Sequence, residues 1–388
     1  MSRLRVLHVI PSVGKHDGGP SRAIELMAQA LAGSDVVMEI ATTDDDGPGR
    51  RLPGPFDADG VAADPLSGSA LRRHFPKRSE FYKFSPALAR WLSRQVRNYD
   101  VVHIHALFSF SSVAAAFIAR RAGVPYVVRP LGTLNEYGMT QRRPWLKRLS
   151  LRWIEGPILR HAASVQFTAE AERVQADALG IPMRGVVIPL AVDAPGEPDG
   201  PAWQARFPML GTRRYVLFLS RIDPKKNLEA LLDAMAALAR DHAERMLVVA
   251  GDGEAGYVAG LKRRAETLGI AARVVWTGFL DGGMKSAALK GAAVFALPSY
   301  SENFGIAAAE ALLLGLPCVL GRGVAIAGDI EAAGAGIAVE PEAAAIATAL
   351  SVYLDDEPAR LRAADAARRY AMAEYSVATL GNELRELY

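Results

Sequence analysis

Two glutamates eight positions apart, Glu302 and Glu310, mark the stretch of sequence best suited to chemistry. Residues 297–317 are typical of a strand end, a short loop, and a helix that starts near Phe304 and ends before Gly315. Since alanines and leucines surround Glu310, we expect the helix to be buried and its carboxylate to need a partner. Glu302 falls in the loop at the helix start, where free amides would face the same site. The pair could seat hydroxyl and phosphate groups, and a buried helix with one satisfied glutamate is the alternative.

Cations gather earlier in the chain. Arg221 and Lys226, with a further lysine between them, follow a strand predicted at Tyr215–Leu219. A helix predicted at Leu228–Arg240 comes next, capped by Asn227. A guanidinium and ammonium groups at the start of a helix favour an anion site. The alternative is a solvated basic loop.

Two glycine loops occupy similar positions after strands. Gly18 and Gly19 follow the first strand and open the first helix, while Gly251-Asp252-Gly253 ends another strand. Glycine lets backbone approach a ligand closely. The first loop is not a G-x-G-x-x-G dinucleotide motif, and an ordinary turn is the alternative for both loops.

His103 and His105 share one face of a predicted strand because they are two residues apart. This spacing can serve zinc, but the sequence shows no third ligand, so we predict no metal site. A satisfied structural histidine is the simpler interpretation of His103. His105 ends the strand and is a candidate to line a ligand cleft.

The elements that must position these residues form two α/β halves. The alternation of β-rich and helical segments predicts βαβ units with parallel sheets. The predicted strands are Arg5–Ile10, Val36–Ala41, Val101–His105, Tyr126–Arg129, Ser164–Phe167, Val186–Ile188, Tyr215–Leu219, Met246–Ala250, Arg273–Thr277 and Ala293–Leu297. The predicted helices are Ser21–Leu31, Leu228–Arg240, Tyr257–Leu268, Lys285–Lys290, 342–355 and 357–374. Residues 44–70 read as a long loop.

Composition divides the chain into domains. We predict an N-terminal domain at 1–193, a Pro/Gly-rich linker at 194–203, a C-terminal domain at 204–374, and a final segment at 375–388. Two doubly wound α/β domains facing across a cleft would bind ligands at the carboxyl ends of their strands.

Composition also limits the protein class. The chain has 388 residues, a net charge of +3 and one cysteine, Cys318. These values predict large cores, no disulfide framework and a reducing, cytoplasmic location. No recognition module indicates nucleic-acid binding. The sequence starts directly with a strand and holds no run of about 18 apolar residues, so we expect neither a signal peptide nor a membrane span.

Two stretches combine basic and aromatic residues, namely 72–97 and 142–160. On a helix, the second stretch could present a basic rim and an apolar stripe to an anionic bilayer. A helix with a core-facing stripe and a charged outer face is the alternative.

Taken together, these motifs resemble a retaining glycosyltransferase of family 4 with the two-domain GT-B fold. The resemblance covers essentially the whole chain. It rests on the pair Arg221 and Lys226, on the Gly251-Asp252-Gly253 turn, on the Pro298–Pro317 pattern with its two glutamates, on the Gly18-Gly19 loop and on Ile188–Asp193.

The resemblance implies roles for these residues. Arg221 and Lys226 would bind the diphosphate of a nucleotide sugar and neutralise the leaving group, with Glu302 on the sugar hydroxyls and Glu310 on the ribose. No metal or cofactor is implied. The further donor-binding residues would be Gly18, Gly19, Gly251, Asp252, Gly253, Asn303, Phe304, Gly305 and Ile306. The partners would be the donor, a saccharide or lipid-linked saccharide acceptor, and an anionic membrane surface on the inner face.

The chain departs from the family at one place. Many relatives carry a histidine shortly after the strand that is Tyr126–Arg129 here, and this sequence has none there. Arg129, Asn135 or His105 are the candidates for the acceptor side. The departure leaves open a module that binds nucleotide sugars without catalysis, and another GT-B activity, such as an epimerase or a hydrolase, is a further alternative.

Overall fold

The chain folds into two compact units. The computed structural model describes residues 3–14, 19–47, 49–52, 62–65, 70–135, 139, 144–193, 195–238 and 245–388, without the side chains of 63–65. The first unit comprises Met1–Ala191 and Val377–Tyr388, and the second comprises Val192–Ser376. Helix Gly200–Arg206 in the second unit takes in part of the stretch 194–203, and its Trp203 is buried.

An eight-stranded sheet forms the centre of the first unit, in the order β3-β4-β2-β1-β5-β6-β7-β8. All pairs are parallel except β3 with β4. Its strands are β1 Leu4–Ile10, β2 Val36–Thr43, β3 Ala62–Pro65, β4 Leu71–Phe75, β5 Val101–His105, β6 Tyr126–Arg129, β7 Ser164–Phe167 and β8 Gly185–Val187.

Helices cover both faces of this sheet. They are α1 Gly19–Leu31, α2 Pro86–Gln95, α3 Phe110–Ala122, α4 Pro144–Ser150, α5 Gly156–His161 and α6 Glu170–Asp177, joined by α15 Val377–Leu387 from the end of the chain. A π-helical turn, Leu151–Glu155, joins α4 to α5. One core packs α2, α3 and α5 against the sheet, and the other packs α1 and α15 on the opposite face.

A six-stranded parallel sheet forms the second unit, in the order β11-β10-β9-β12-β13-β14. Its strands are β9 Tyr215–Leu219, β10 Met246–Ala250, β11 Val274–Gly278, β12 Ala292–Leu297, β13 Cys318–Gly321 and β14 Gly336–Val339. Its helices are α7 Gly200–Arg206, α8 Leu228–Leu238, α9 Ala255–Thr267, α10 Gly282–Gly291, α11 Ile306–Leu313, α12 Ala327–Ala332, α13 Ala343–Asp355 and α14 Glu357–Glu374. The predicted class of two parallel α/β units is confirmed.

One sequence prediction was wrong. The long loop predicted at 44–70 contains β3, which pairs with β4 at the edge of the first sheet. The Leu-Arg-Arg-His-Phe sequence of β4, with three consecutive polar residues, gives no alternating strand pattern. The side-chain amide of Asn227 donates to the Pro298 and Pro341 carbonyls at 3.3 and 2.7 Å, and its predicted role as a helix cap stays a prediction.

Among the described residues, no helix has both the length and the apolar character that crossing a membrane requires.

Candidate active site

Two loops run side by side at the carboxyl edge of the second sheet. The Ile222 N–H, in the loop after β9, donates to the Asp252 carbonyl after β10 at 2.8 Å. Gly251 has a φ of +140°, and a Cβ placed there would lie 1.9 Å from the Ser220 carbonyl oxygen. The close approach of the neighbouring backbone therefore accounts for a glycine at position 251. The predicted contact of Gly251 with a sugar donor stays a prediction.

Lys226 brings a buried ammonium to this edge. It ends the short turn Pro224–Lys226, and its side chain contacts the carboxylate of Glu302. Burial lowers the pKa of Lys226, and the Lys225 and Arg221 cations lower it further. The Glu302 carboxylate opposes this because it favours the charged form of the lysine.

Arg221 is the exposed member of the cation group. It lines a shallow depression together with Asp252, Gly253 and Tyr257. A planar guanidinium at the surface beside a buried ammonium provides two kinds of donor for phosphate oxygens. The structure thus brings Arg221, Lys226 and Glu302 together, as the sequence indicated.

The loop that carries Glu302 is fixed by the loop after β13. The Glu302 N–H donates to the Gly323 carbonyl at 2.9 Å, and the Ala325 N–H donates to the Glu302 carbonyl at 3.1 Å. A Cβ at Gly323 would lie 2.0 Å from the Tyr300 carbonyl oxygen. Gly323 was not among the predicted site residues, because nothing in the sequence shows that these loops touch.

Helix α11 starts beside Glu302. Gly305 precedes it with a φ of +94°, and its carbonyl accepts hydrogen bonds from the Ala308 and Ala309 amides. The amide of Ile306 therefore lies before the first intrahelical bonds, where helices bind anions. The Asn303 Oδ1 is buried without a hydrogen-bond partner in the described part of the chain.

Two more side chains of this region are buried. The Phe304 ring packs edge-on against Tyr375, with centroids 5.3 Å apart. The Ser299 hydroxyl lacks a hydrogen-bond partner among the residues described. Buried polar atoms without partners, such as those of Ser299 and Asn303, are costly.

Glu310 has the partner that its position demands. Its Oε1 lies 2.8 Å from the Nζ of Lys285 on α10. The sequence predicted a need for a partner but did not name this lysine, since the contact depends on how α10 and α11 pack. The ribose-binding role of Glu310 stays a prediction.

The candidates in the first unit have different surroundings. Gly18 lies outside the described residues, and Gly19 is the first residue of α1. Asn135 is partly exposed in the loop after β6. His105 and Arg129 are both buried, so in this structure they lie inside the unit and not on a surface that an acceptor could reach.

A chain of buried hydrogen bonds surrounds His105. Its Nε2 lies 2.9 Å from the Nδ1 of His8, whose Nε2 lies 3.1 Å from the Tyr388 hydroxyl. That hydroxyl lies 2.7 Å from the Nδ1 of His103. The sequence showed no third ligand; the structure supplies one, because the pairing of β1 with β5 places His8 beside His103.

The three histidines form a buried, neutral, hydrogen-bonded group. Burial lowers the pKa of His8 to about 3 and those of His103 and His105 well below their usual value, and the nearby Arg129 cation lowers all three further. The rings of His103 and His105 stack with centroids 4.4 Å apart, and both nitrogens of His8 have hydrogen-bond partners. Ring nitrogens of the three lie within 4.8 Å of one another, and the expected absence of a metal stays a prediction.

Comparison with known proteins assigns the chain to a family. The model of the glycosyl transferases group 1 matches residues 201–370, and that of the glycosyl transferase 4-like domain matches residues 18–191. The D-inositol 3-phosphate glycosyltransferase of Actinosynnema mirum is 31% identical over 353 residues, covering 82% of this chain and 80% of the relative.

The chain belongs to the group 1 glycosyltransferases. This group 1 glycosyltransferase is also 28% identical to the phosphatidyl-myo-inositol mannosyltransferase of Mycobacterium tuberculosis over 364 residues, covering 88% of the chain and 85% of the relative. The structure of Anabaena HepE in complex with UDP matches with a TM-score of 0.77 at 19% identity, covering 99% of each chain. That likeness shows the GT-B fold.

Proposed function

We propose that this glycosyltransferase moves a hexose from a nucleotide-diphosphate sugar to a hydroxyl acceptor with retention of anomeric configuration and without a metal. The observation that carries the proposal is the grouping of Arg221, Lys226 and Glu302 beside the first amides of α11. Cations, a carboxylate and helix amides within one unit match the charge pattern of a sugar diphosphate.

Each group has a chemical role in this proposal. Arg221 and Lys226 bind the diphosphate and neutralise the charge that develops on the leaving group, which is the work a metal would otherwise do. Glu302 accepts hydrogen bonds from sugar hydroxyls, and Glu310 accepts them from the ribose. The acceptor attacks from the face that the diphosphate leaves, and a departing phosphate oxygen takes its proton.

Names of relatives support a donor and acceptor of this kind. The mycobacterial relative is named a phosphatidyl-myo-inositol mannosyltransferase and the Actinosynnema relative a D-inositol 3-phosphate glycosyltransferase. HepE was solved with UDP. We infer a nucleotide-sugar donor and a saccharide or lipid-linked saccharide acceptor, in polysaccharide or glycolipid assembly.

The surface of the first unit supports a membrane-bound acceptor. Trp145, Leu149 and Trp153 are spaced like neighbours on one helix face, and they are 66%, 52% and 67% exposed. Arg148 and Arg152, also exposed, lie beside them. We propose that this surface, the Trp stripe, docks on an anionic membrane at its cytoplasmic face.

The other basic stretch contributes less to such a surface. Within 72–97, Arg73 pairs with Glu39 at 3.2 Å, and the fully buried Lys77 pairs with Asp45. Arg73 and Lys77 therefore form ion pairs within the first unit.

Product analysis tests the assignment. Purified protein is incubated with UDP-, GDP- and ADP-hexoses and a mixture of sugar and lipid acceptors, with and without EDTA. We expect a glycoside that keeps the donor's anomeric configuration by NMR, at a rate that EDTA does not change. Inversion, or loss of activity with EDTA, would contradict the mechanism, while donor binding without turnover would indicate a binding module. Release of free sugar or an epimer with no glycoside would indicate a hydrolase or an epimerase.

Single substitutions test the residue roles. We expect Arg221→Ala and Glu302→Ala to lower the transfer rate by about 100- to 1,000-fold, since each removes a group that stabilises transition-state charge or orientation. Arg213→Ala is the control, because Arg213 is an exposed arginine before β9, at the opposite sheet edge. An equal loss of transfer rate in the control variant, or unchanged turnover in the first two variants, would contradict the assignment.

A further inference from the structure

Two loops in the first unit have strained backbones. Tyr82 and Lys83, in the loop after β4, have φ values of +61° and +48°. Ala106 and Phe108, after β5, have values of +71° and +55°. Such conformations cost on the order of 1–3 kcal/mol each and persist only where surrounding structure imposes them, often at functional sites.

One buried carboxylate joins the two loops. Glu155 is fully buried, and its Oε1 accepts hydrogen bonds from the Phe108 N–H at 3.1 Å and from the Tyr82 hydroxyl at 3.3 Å. Both donors belong to residues with positive φ. Burial raises the pKa of Glu155 to about 7, although its bonds from Phe108, Tyr82 and Ser150 oppose the shift.

Glu155 reaches these loops from an irregular part of its helix. It is the last residue of the π-helical turn Leu151–Glu155. Such turns are rare and occur frequently at functional sites. The preceding residues, Trp153 and Ile154, are exposed, so the same turn carries part of the Trp stripe.

The loop after β4 has a second anchor. The Lys83 ammonium contacts the buried carboxylate of Asp45, which follows β2. The Phe84 ring packs against Phe110 at the start of α3, with centroids 4.5 Å apart. Contacts on two sides thus hold Phe81, which is 68% exposed, at the surface.

We propose that Phe81–Phe84 and Ala106–Phe108 form the acceptor-binding edge of the first unit, and that Glu155 is the positioning residue that holds both loops. This inference rests on the proposed function, because it assumes an acceptor hydroxyl. The carboxyl ends of β4 and β5 are where ligands bind to such sheets. Exposed phenylalanines suit an acceptor sugar that carries an apolar group, since aromatic rings bind apolar surface.

Three variants test the positioning role. Glu155→Leu removes the acceptor of both hydrogen bonds. Glu155→Gln keeps an oxygen that can accept them, and Tyr82→Phe removes one. The probes are n-octyl glycosides of glucose, galactose and mannose, with whichever nucleotide sugar the wild type uses.

We expect Glu155→Leu to raise the KM for the octyl glycoside at least about tenfold, because two hydrogen bonds to the loops are lost. Donor KM and acceptor-free hydrolysis of the nucleotide sugar should stay unchanged. Glu155→Gln should stay within about twofold of wild type, with Tyr82→Phe between the two. An equal rise in donor KM, or a glutamine variant as poor as the leucine variant, would overturn the inference.

Hydrogen exchange separates this inference from the proposed function. In Glu155→Leu, we expect the Phe108 amide to exchange at least about tenfold faster, while amides within β5 and β6 keep wild-type rates. Glu155→Gln should keep the amide protected. Unchanged Phe108 exchange in the leucine variant would overturn the positioning role, even if no acceptor supports turnover. Wild-type protein that turns over no nucleotide sugar would instead contradict the proposed function.

Discussion

At the scale of the residue, close backbone contact decides where glycine is needed. Cβ atoms at Gly251, Gly253 and Gly323 would lie 1.9, 2.2 and 2.0 Å from carbonyl oxygens of neighbouring loops. These distances are far below van der Waals contact. Gly251 and Gly253 therefore let the loop after β10 approach the loop that carries Arg221, and Gly323 lets the loop after β13 approach the loop that carries Glu302.

A pair of glycine substitutions tests this explanation. Gly251→Ala should lower the free energy of unfolding by at least about 2 kcal/mol, because the new Cβ meets the Ser220 carbonyl and the φ is unfavourable. Gly260→Ala should raise it by about 0.5–1 kcal/mol, since Gly260 lies within α9 and a Cβ there would meet only the Arg263 side chain, at 3.9 Å. Urea unfolding of the two variants measures both effects. A tolerated Gly251→Ala would show that the loops can separate without cost.

At the scale of the element, the helical segment from Pro144 to His161 carries the residues of two proposals. Its inner side carries Glu155, which is fully buried, and its outer side carries the Trp stripe. The sequence left open a core-facing apolar stripe with a charged outer side. The structure shows apolar and basic residues on the outside together, which is the pattern of a helix that lies on a membrane.

Vesicle binding tests the Trp stripe. Replacing Trp145, Leu149 and Trp153 by serine should reduce co-sedimentation with phosphatidylglycerol-rich vesicles by at least about tenfold, because their apolar area no longer enters the interface. Phe117→Ser is the control, since Phe117 is 66% exposed on α3, outside the stripe. High salt should weaken wild-type binding by screening Arg148 and Arg152. Binding that survives the triple substitution would place the membrane contact elsewhere.

At the scale of the whole molecule, both ends of the described chain meet inside the first unit. His8 on β1 and His103 on β5 share the hydroxyl of Tyr388, which follows α15. The hydrogen bonds between them span 285 and 380 positions of sequence. The unit is therefore completed only after the second unit has been synthesised.

The buried histidines predict a loss of stability in acid. Burial holds the pKa of His8 at about 3, whereas an unfolded histidine titrates near 6.5. Below about pH 6.5 the unfolded chain binds protons that the folded unit excludes, so stability falls as the pH drops towards the folded pKa. Each such histidine contributes a slope of up to about 1.4 kcal/mol per pH unit.

Replacing one histidine measures how much it contributes to the pH dependence of stability. We expect His8→Gln to flatten the dependence of the unfolding free energy on pH between about 4 and 6 by nearly one proton. Hydrogen exchange of β1 and β5 amides reports on the first unit alone. His161→Gln, at the exposed end of α5, is the matched control. An unchanged slope in His8→Gln would mean that His8 is protonated in the folded state.

Local patterns were sufficient to predict much of the fold. Strands Val101–His105, Tyr126–Arg129 and Tyr215–Leu219 occur with the predicted bounds, because apolar β-branched and aromatic runs between turn residues define buried parallel strands. Strands β13 and β14 were missed. They are four residues each, and Gly336 is required by the Cys318 carbonyl, which a Cβ would approach to 2.3 Å.

The sequence by itself determined the two α/β halves. It also marked Arg221, Lys226 and Glu302 as candidate site residues, since charged residues at the carboxyl ends of strands have few structural uses. Tertiary structure alone decided that Lys285 pairs with Glu310, that His8 joins His103, and that Glu155 holds two strained loops. Strand and helix periods are local properties of sequence, whereas these contacts depend on strand register and helix packing. They join residues far apart in the chain, and no short pattern records them.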